Sequence, residues 1–301
     1  MKSGRVRPKG RAAYKPSTLR SYELALVNHL EPSALGQIKL VDLRRADVQD
    51  LAEQLLARGL APGTVSNILN PVQALYRWLI DRDVIATNPA TRIDLPGQGS
   101  PRPKRIASVS EAARLLAVLR DEDQPLWATA FYAGLRRGEL RALRVCDVDL
   151  GASVIRVERG WDQIAGAIEP KSAAGKRTVT LLGVLRDFLD QHLLRTGREG
   201  EALVFGRTPV DPFEPSTIDN RAQECWEAGE MTPITLHECR HTFASLMIDA
   251  GANPKAIQTY MGHSKIQTTF DTYGHLMPGS HDEVRERMDA YLGAHVVQAA
   301  A

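Results

Sequence analysis

Residues 94–107, DLPGQGSPRPKRIA, divide this chain. Proline removes the backbone N–H that a helix or a central strand needs, and glycine is costly to order, so neither element runs through a stretch holding three prolines and two glycines. The segment reads as a linker carrying three basic residues. Any core must therefore be built on one side of it or the other. At 301 residues the chain is long enough for both sides to have a core of their own.

On the first side, residues 14–93 carry helical periodicity throughout. Leu19, Tyr22, Leu26 and Leu30 recur at helical spacing, as do Val48, Leu51 and Leu55, with Gly59 placed to end the second helix. A third pattern runs from Thr64 to about Arg82, and Pro71 inside it is expected to kink or divide that helix. Residues 1–13 form a basic N-terminal arm with no apolar stretch behind it, unlike a secretory signal.

On the second side, residues 108–292, Ser108-x-x-Glu111 reads as a capping box. A helix through PLWATAFYAG is expected to end at Gly134, and RRGELRAL to begin another. ASVIRVER and KRTVTL read as strands of one small sheet. Helical patterns return at 182–195, 215–229, 235–250, 254–261 and 282–292, before a tail at 293–301. The fold class is thus mainly α (α+β): an all-helical first domain, then a mixed, mostly helical domain with a small antiparallel sheet.

Net charge is only +2, but residues 1–107 hold 17 Lys and Arg against 9 Asp and Glu, whereas residues 108–301 hold 21 against 27. A basic first half suggests contact with a polyanion. Its bland counterpart is a solvated basic tail. Cys146, Cys225 and Cys239 are odd in number and widely spaced, which argues against a disulfide framework and for a reducing cytoplasm. No apolar run approaches the roughly 20 residues that span a bilayer.

LHECRH, residues 236–241, supports two chemistries. His237-Glu238-x-x-His241 has the spacing of a helix-borne zinc peptidase site, but Ala244 and Met247 stand where the longer zinc pattern needs glycine and histidine. Asp271 is the best remaining third ligand. The other reading takes His237-x-x-Arg240 as a phosphate-gripping pair. Metal-free phosphodiester transfer needs arginines for the non-bridging oxygens, a nucleophile, and an acid for the departing oxygen. A tyrosine hydroxyl, with an ordinary pKa of about 10, needs local help to attack at neutral pH.

Here the chain resembles the tyrosine recombinases of the phage integrase family, from about residue 14 to 290. The resemblance rests on four boxes in order: AGLRRGEL, EPKSAAGKRTVTL, LHECRHTFAS and YMGHSKIQTTFDTYGH. It implies that Arg136, His237, Arg240 and His263 hold or assist at a DNA phosphate, with Glu139 supporting Arg136. It implies that Lys171 is the general acid, with Lys176 the alternative, and that Tyr273 is the nucleophile. The expected reaction passes through a 3′-phosphotyrosyl link, using neither metal nor cofactor.

Ten residues separate His263 from Tyr273, one more than in many relatives. The resemblance further implies that residues 14–93 are a core-binding (SAM-like) DNA-binding domain, with no separate arm-binding domain before it. The implied partners are double-stranded DNA carrying specific sites, a homotetramer in the synaptic complex, and accessory DNA-bending or directionality factors, with no membrane. The expected location is the cytoplasm, on the nucleoid. The resemblance implies that the amphipathic stretch with Val284, Met288, Tyr291 and Leu292 packs on a neighbouring protomer; the alternative is that it folds back on its own domain. A mobile-element integrase is the leading expectation, with a chromosome-dimer resolvase the alternative inside the family and the zinc peptidase the alternative outside it. On this reading His241, His275 and His281 take surface or capping roles, and Glu238 is structural.

Overall fold

The computed structural model describes residues 13–97, 105–170 and 173–277, with 285–286, 288–290 and 292 beyond them. The chain forms two compact units, residues 1–103 and 104–301, and the division falls inside the proline-rich segment.

The first unit is helical. Helix α1 (Pro16–Ala25) runs on through a wider π turn at Leu26–Leu30, followed by α2 (Arg45–Ala57) and α3 (Pro62–Ile80). Pro16 and Pro62 open their helices, where the missing N–H would have had no partner and the fixed φ suits the first turn. Gly59, at φ +84°, provides the left-handed turn after α2. The apolar faces meet in one core that includes Val48, Leu51, Leu55, Val65, Ile68 and Tyr76. Pro71 does not divide α3, which is one uninterrupted helix. The ring forfeits one intrahelical bond, but Leu69, Pro71 and Val72 are all buried, and packing holds the helix across the gap.

The second unit opens with α4 (Val109–Ala117). Ser108 Oγ accepts from the Glu111 N–H at 3.2 Å, but the Glu111 carboxylate is taken by Arg105, so only half of the expected capping box forms. Helix α5 (Gln124–Ala133) is buried on nearly every side, as its apolar sequence requires. The short α6 (Arg137–Ala142) leads into β1 (Val148–Asp149), β2 (Val154–Val157), β3 (Gly160–Asp162), β4 (Gly166–Ile168) and β5 (Arg177–Thr180). The strands β1, β2 and β5 form one antiparallel sheet in that order, with Ile155 opposite Val179 and Val157 opposite Arg177. Strands β3 and β4 form a separate two-stranded sheet, so two small sheets stand where one was expected. Both are three residues long, too short for alternation to reveal them.

Beyond the sheets follow α7 (Gly183–Thr196), α8 (Pro215–Ala228), α9 (Leu236–Asp249), α10 (Pro254–Met261) and α11 (Ile266–Tyr273). Helix α5 packs against α7 and α9, and Trp127 meets Trp226 edge to face with centroids 4.8 Å apart. The Thr-rich stretch before Tyr273, which lies outside the expected helical patterns, is helix α11. Its threonines, weak helix formers, mask a helical repeat of Ile266, Thr269, Phe270 and Tyr273, of which Thr269 and Tyr273 are buried. Val284 and Tyr291 of the C-terminal amphipathic stretch lie outside the described residues, whereas Met288 and Leu292 are helical and exposed. Among the described residues no helix is long and apolar enough to cross a membrane.

Candidate active site

Two chain reversals in left-handed backbone frame the site. Gly134 ends α5 at φ +62°, and a Cβ there would run into the Phe243 ring. Gly262 ends α10 at φ +57°, where a Cβ would stand 3.0 Å from both the Ala174 carbonyl oxygen and Arg177 Nη1, and 3.3 Å from Arg136 Nη1. Only glycine meets both the backbone and the space requirement at these positions.

Between them three guanidinium groups gather around one carboxylate. Glu139 Oε2 accepts from the Arg136 backbone N–H and Oε1 accepts from Arg136 Nη1, each at 2.8 Å. Arg177 donates to the same carboxylate through both Nη atoms, at 3.0 and 2.9 Å, and its Nε donates to the Tyr260 carbonyl at 2.7 Å. Arg240 Nη1 lies 4.0 Å from Glu139 Oε2 and also donates to the Gly134 carbonyl, while its Nη2 donates to the Met261 carbonyl. Arg136 Nη2 donates to the Met261 and Gly262 carbonyls at 2.9 and 3.1 Å. Arg177 and Arg240 are buried; the Arg136 side chain is 40% exposed and open to a ligand.

The charges do not balance. Burial alone would raise the Glu139 pKa, but the bonds and charge of Arg177, then the charges of Arg136 and Arg240, bring it down to about 2. Burial, reinforced by the Arg136 charge, lowers the Arg240 pKa to about 9 against the pull of Glu139. Three cations around one anion leave the pocket short of negative charge. A phosphate diester, with its two non-bridging oxygens, is an anion of fitting shape.

Helix α9 carries the other half of the site. His237, Arg240 and His241 stand at i, i+3 and i+4, on one helix face. The helix starts at Thr235, whose Oγ1 accepts from the Glu238 N–H, while Glu238 Oε2 accepts from the Thr235 N–H and hydroxyl at 2.9 and 2.8 Å. Glu238 is therefore a capping residue. His241 is buried at 5% exposure, and its Nδ1 lies 2.6 Å from the Tyr273 hydroxyl, which corrects the expectation of a surface or capping role. Its Nε2 lies 3.1 Å from His237 Nε2. His237 itself is exposed.

Tyr273 is the last residue of α11 and 2% exposed, packed in a small cluster with Phe243, Ile257 and Met261. Burial raises its pKa to about 12, against lowering by the charges of Arg240 and Arg136. The His263 ring lies nearly parallel to that of Tyr273, 6.4 Å away, and its Nδ1 is 3.0 Å from Thr269 Oγ1.

Six of the seven expected residues, Arg136, Glu139, His237, Arg240, His263 and Tyr273, thus fall in one site. Lys171 lies outside the described residues. Lys176 is at the surface, paired with Glu169 at 3.3 Å. His275 is exposed and His281 lies outside the described residues. Cys239 is buried, and burial pushes its thiol pKa well up, away from reactivity. Arg177 escaped the sequence reading, and His241 was read there as a zinc-spacing partner or a surface or capping residue. The available signal for Arg177 was its register: it shares the inward face of β5 with Val179, where a charge needs a buried partner.

The family profile described as phage integrase family matches residues 107–279, more than half of the chain. The chain belongs to that family and is a tyrosine-type site-specific recombinase. It is 23% identical over 296 residues to the ICEBs1 integrase of Bacillus subtilis (strain 168), covering 92% of this chain and 79% of the relative. Its fold is similar to that of the Tn1549 transposon integrase in complex with transposon right end DNA, with a TM-score of 0.76, 22% identity, and 94% and 95% of the two chains covered. A lambda integrase tetramer bound to a Holliday junction has a TM-score of 0.57 at 17% identity, covering 84% of this chain and 73% of that one.

Proposed function

We propose that this recombinase serves a mobile element, and that it cuts and rejoins double-stranded DNA through Tyr273. The observation that carries the proposal is the Tyr273 hydroxyl bonded to His241 on α9, the helix that also brings Arg240 into the group of three cations around a single carboxylate.

In this reading a scissile phosphate enters beside Arg136. It draws guanidinium donors away from the Met261 and Gly262 carbonyls, and its two non-bridging oxygens are neutralised by Arg136 and Arg240. Tyr273 Oη attacks phosphorus as its proton passes to a base beside it, the Oη–P bond forms, and the bond to the 5′ oxygen breaks. That oxygen leaves as a hydroxyl with a proton from Lys171. His237 and His263 flank the phosphate, and Glu139 orders the arginines. Attack by a 5′ hydroxyl of a second strand reverses each step and rejoins the DNA. The ester linkage stores the energy of the broken bond, so no nucleotide is consumed, and the arginines supply the positive charge that the phosphate oxygens need.

Residues 14–93 are proposed as the core-binding unit, with the basic arm and the 94–107 linker along the DNA backbone. A homotetramer on two duplexes, joined through the C-terminal stretch, and accessory bending or directionality factors complete the proposal. Its place is the cytoplasm, on the nucleoid.

The test is a covalent adduct. Nicked duplexes tiling the DNA around the gene, and then a random-site library, are incubated with the protein in EDTA and run on a denaturing gel. A shifted band with wild type that is absent for Tyr273→Phe is expected. Silence on both sets of DNA, or an adduct that survives Tyr273→Phe, would overturn the proposal. A cleaved tile at the element's own boundary supports the integrase role; cleavage confined to a chromosome-dimer site supports the resolvase.

A further inference from the structure

Tyr273, His241 and His237 form a continuous chain of ring atoms, with Oη to Nδ1 at 2.6 Å and Nε2 to Nε2 at 3.1 Å. It leads from the interior outward, since Tyr273 and His241 are buried and His237 is exposed. The two imidazoles meet nearly at right angles, with centroids 4.6 Å apart.

A neutral imidazole has one N–H and one lone pair. When two ring nitrogens face each other at hydrogen-bond distance, one donates and the other accepts. For neutral rings and a phenol two chains are consistent, and in the one that can deliver a proton outward Tyr273 O–H donates to His241 Nδ1 and His241 Nε2–H donates to His237 Nε2. Shifting both protons along the chain gives the phenolate, a neutral His241 protonated on Nδ1, and a cationic His237. No heavy atom need move far for this. The buried phenol needs such an outlet, because with a pKa near 12 it holds its proton at neutral pH.

We propose that His241 is a further catalytic residue, the proton acceptor for Tyr273, and that it passes the proton outward to His237. The inference rests on the reading of Tyr273 as nucleophile. As Oη attacks, the Oη–H bond breaks and its electron pair forms the Oη–P bond. A proton joins His241 Nδ1 while the Nε2 proton leaves for His237 Nε2. His237 becomes a cation at the exposed end of the chain, two hydrogen bonds away from the Oη that has joined phosphorus. The 5′ oxygen departs with a proton from the separate acid.

The first measurement needs no DNA. In protein labelled with ¹⁵N-histidine, His241 Nδ1 should show the shift of an unprotonated acceptor, and that shift should move in Tyr273→Phe. A His241 protonated at Nδ1 and indifferent to Tyr273→Phe would overturn the proposal. The second uses whichever nicked duplex gives an adduct with wild type. His241→Asn places an amide oxygen near the position of Nδ1, which accepts a hydrogen bond but takes no proton. Both His241→Asn and His241→Ala should form adduct about 100-fold or more slowly, with DNA affinity unchanged, and added imidazole should restore part of the rate in His241→Ala. A substrate with sulfur at the bridging 5′ position, whose thiolate leaves without a proton, should not rescue His241→Asn.

Rescue by sulfur, or an Asn variant within about threefold of wild type, would overturn proton transfer to His241. Should His241→Ala fail to fold, the Asn variant and the ¹⁵N shifts still decide. If wild type forms no adduct on any DNA while the His241–Tyr273 coupling is intact, the nucleophile reading falls, and the catalytic role falls with it.

Discussion

Arg177 is the residue on which the anion pocket depends structurally, although it is too buried to meet DNA. Its guanidinium neutralises Glu139 through two parallel bonds and reaches across to the Tyr260 carbonyl. Removing one partner of a buried pair leaves an uncompensated charge, so Arg177→Ala is expected to cost about 3–5 kcal/mol. That corresponds to a fall in Tm of roughly 10 °C for a unit of this size, with loss of adduct formation. Arg177→Lys keeps the charge without the fork, and should fall between the two. Glu139 gives a matching pH signature. Its folded pKa of about 2 lies below the ordinary 4.5, so its contribution is complete above pH 4.5 and is lost as pH falls toward 2. The loss is on the order of 3 kcal/mol. Glu139→Gln should therefore be the less stable protein at pH 7, and the gap in Tm should close between pH 5 and 2; a gap constant with pH would mean that the carboxylate's charge does not hold the arginines together.

At the scale of elements, the site is made by the turn that closes α10. Gly262 brings the backbone so close to Arg136 and Arg177 that no side chain fits, and its φ of +57° disfavours any other residue independently. Gly262→Ala is expected to destabilise the unit by about 1–3 kcal/mol and to slow adduct formation at least about tenfold. Gly183→Ala, at a helix start with open space around it and no left-handed φ, should be nearly neutral. Thermal melts and adduct assays on the pair check both. The end of α5 was legible in the sequence because Gly134 signals locally, and α9 and α10 were legible through their helical periodicity. Helix α11 and the β3–β4 hairpin were not. Threonine-rich helices and three-residue strands carry little local preference, and packing decides them.

For the whole molecule, charge changes sign along the sequence, with +8 on residues 1–107, through the proline-rich segment, and −6 on residues 108–301. A polyanion partner should therefore be held through counterion release. The DNA affinity of the full chain is expected to fall at least about tenfold between about 50 and 200 mM salt, as it would for a protein neutralising several phosphates. Arg44→Gln with Arg45→Gln, both exposed at the start of α2, should flatten that dependence, as read by fluorescence anisotropy. A flat wild-type response would remove the polyanion role of the first unit.

By itself the sequence determined where the chain divides, most of its helices, and the residue types that a phosphate and a nucleophile require. Those are local properties: periodicity, caps, prolines and short motifs on single elements. Only the tertiary structure decided that Arg177 faces Glu139, 38 residues away, and that His241 turns inward to Tyr273, 32 residues away. The physical reason is that a buried charge or ring takes its partner from whichever element packs against it, and that packing follows from the whole core and not from the residue's own neighbours.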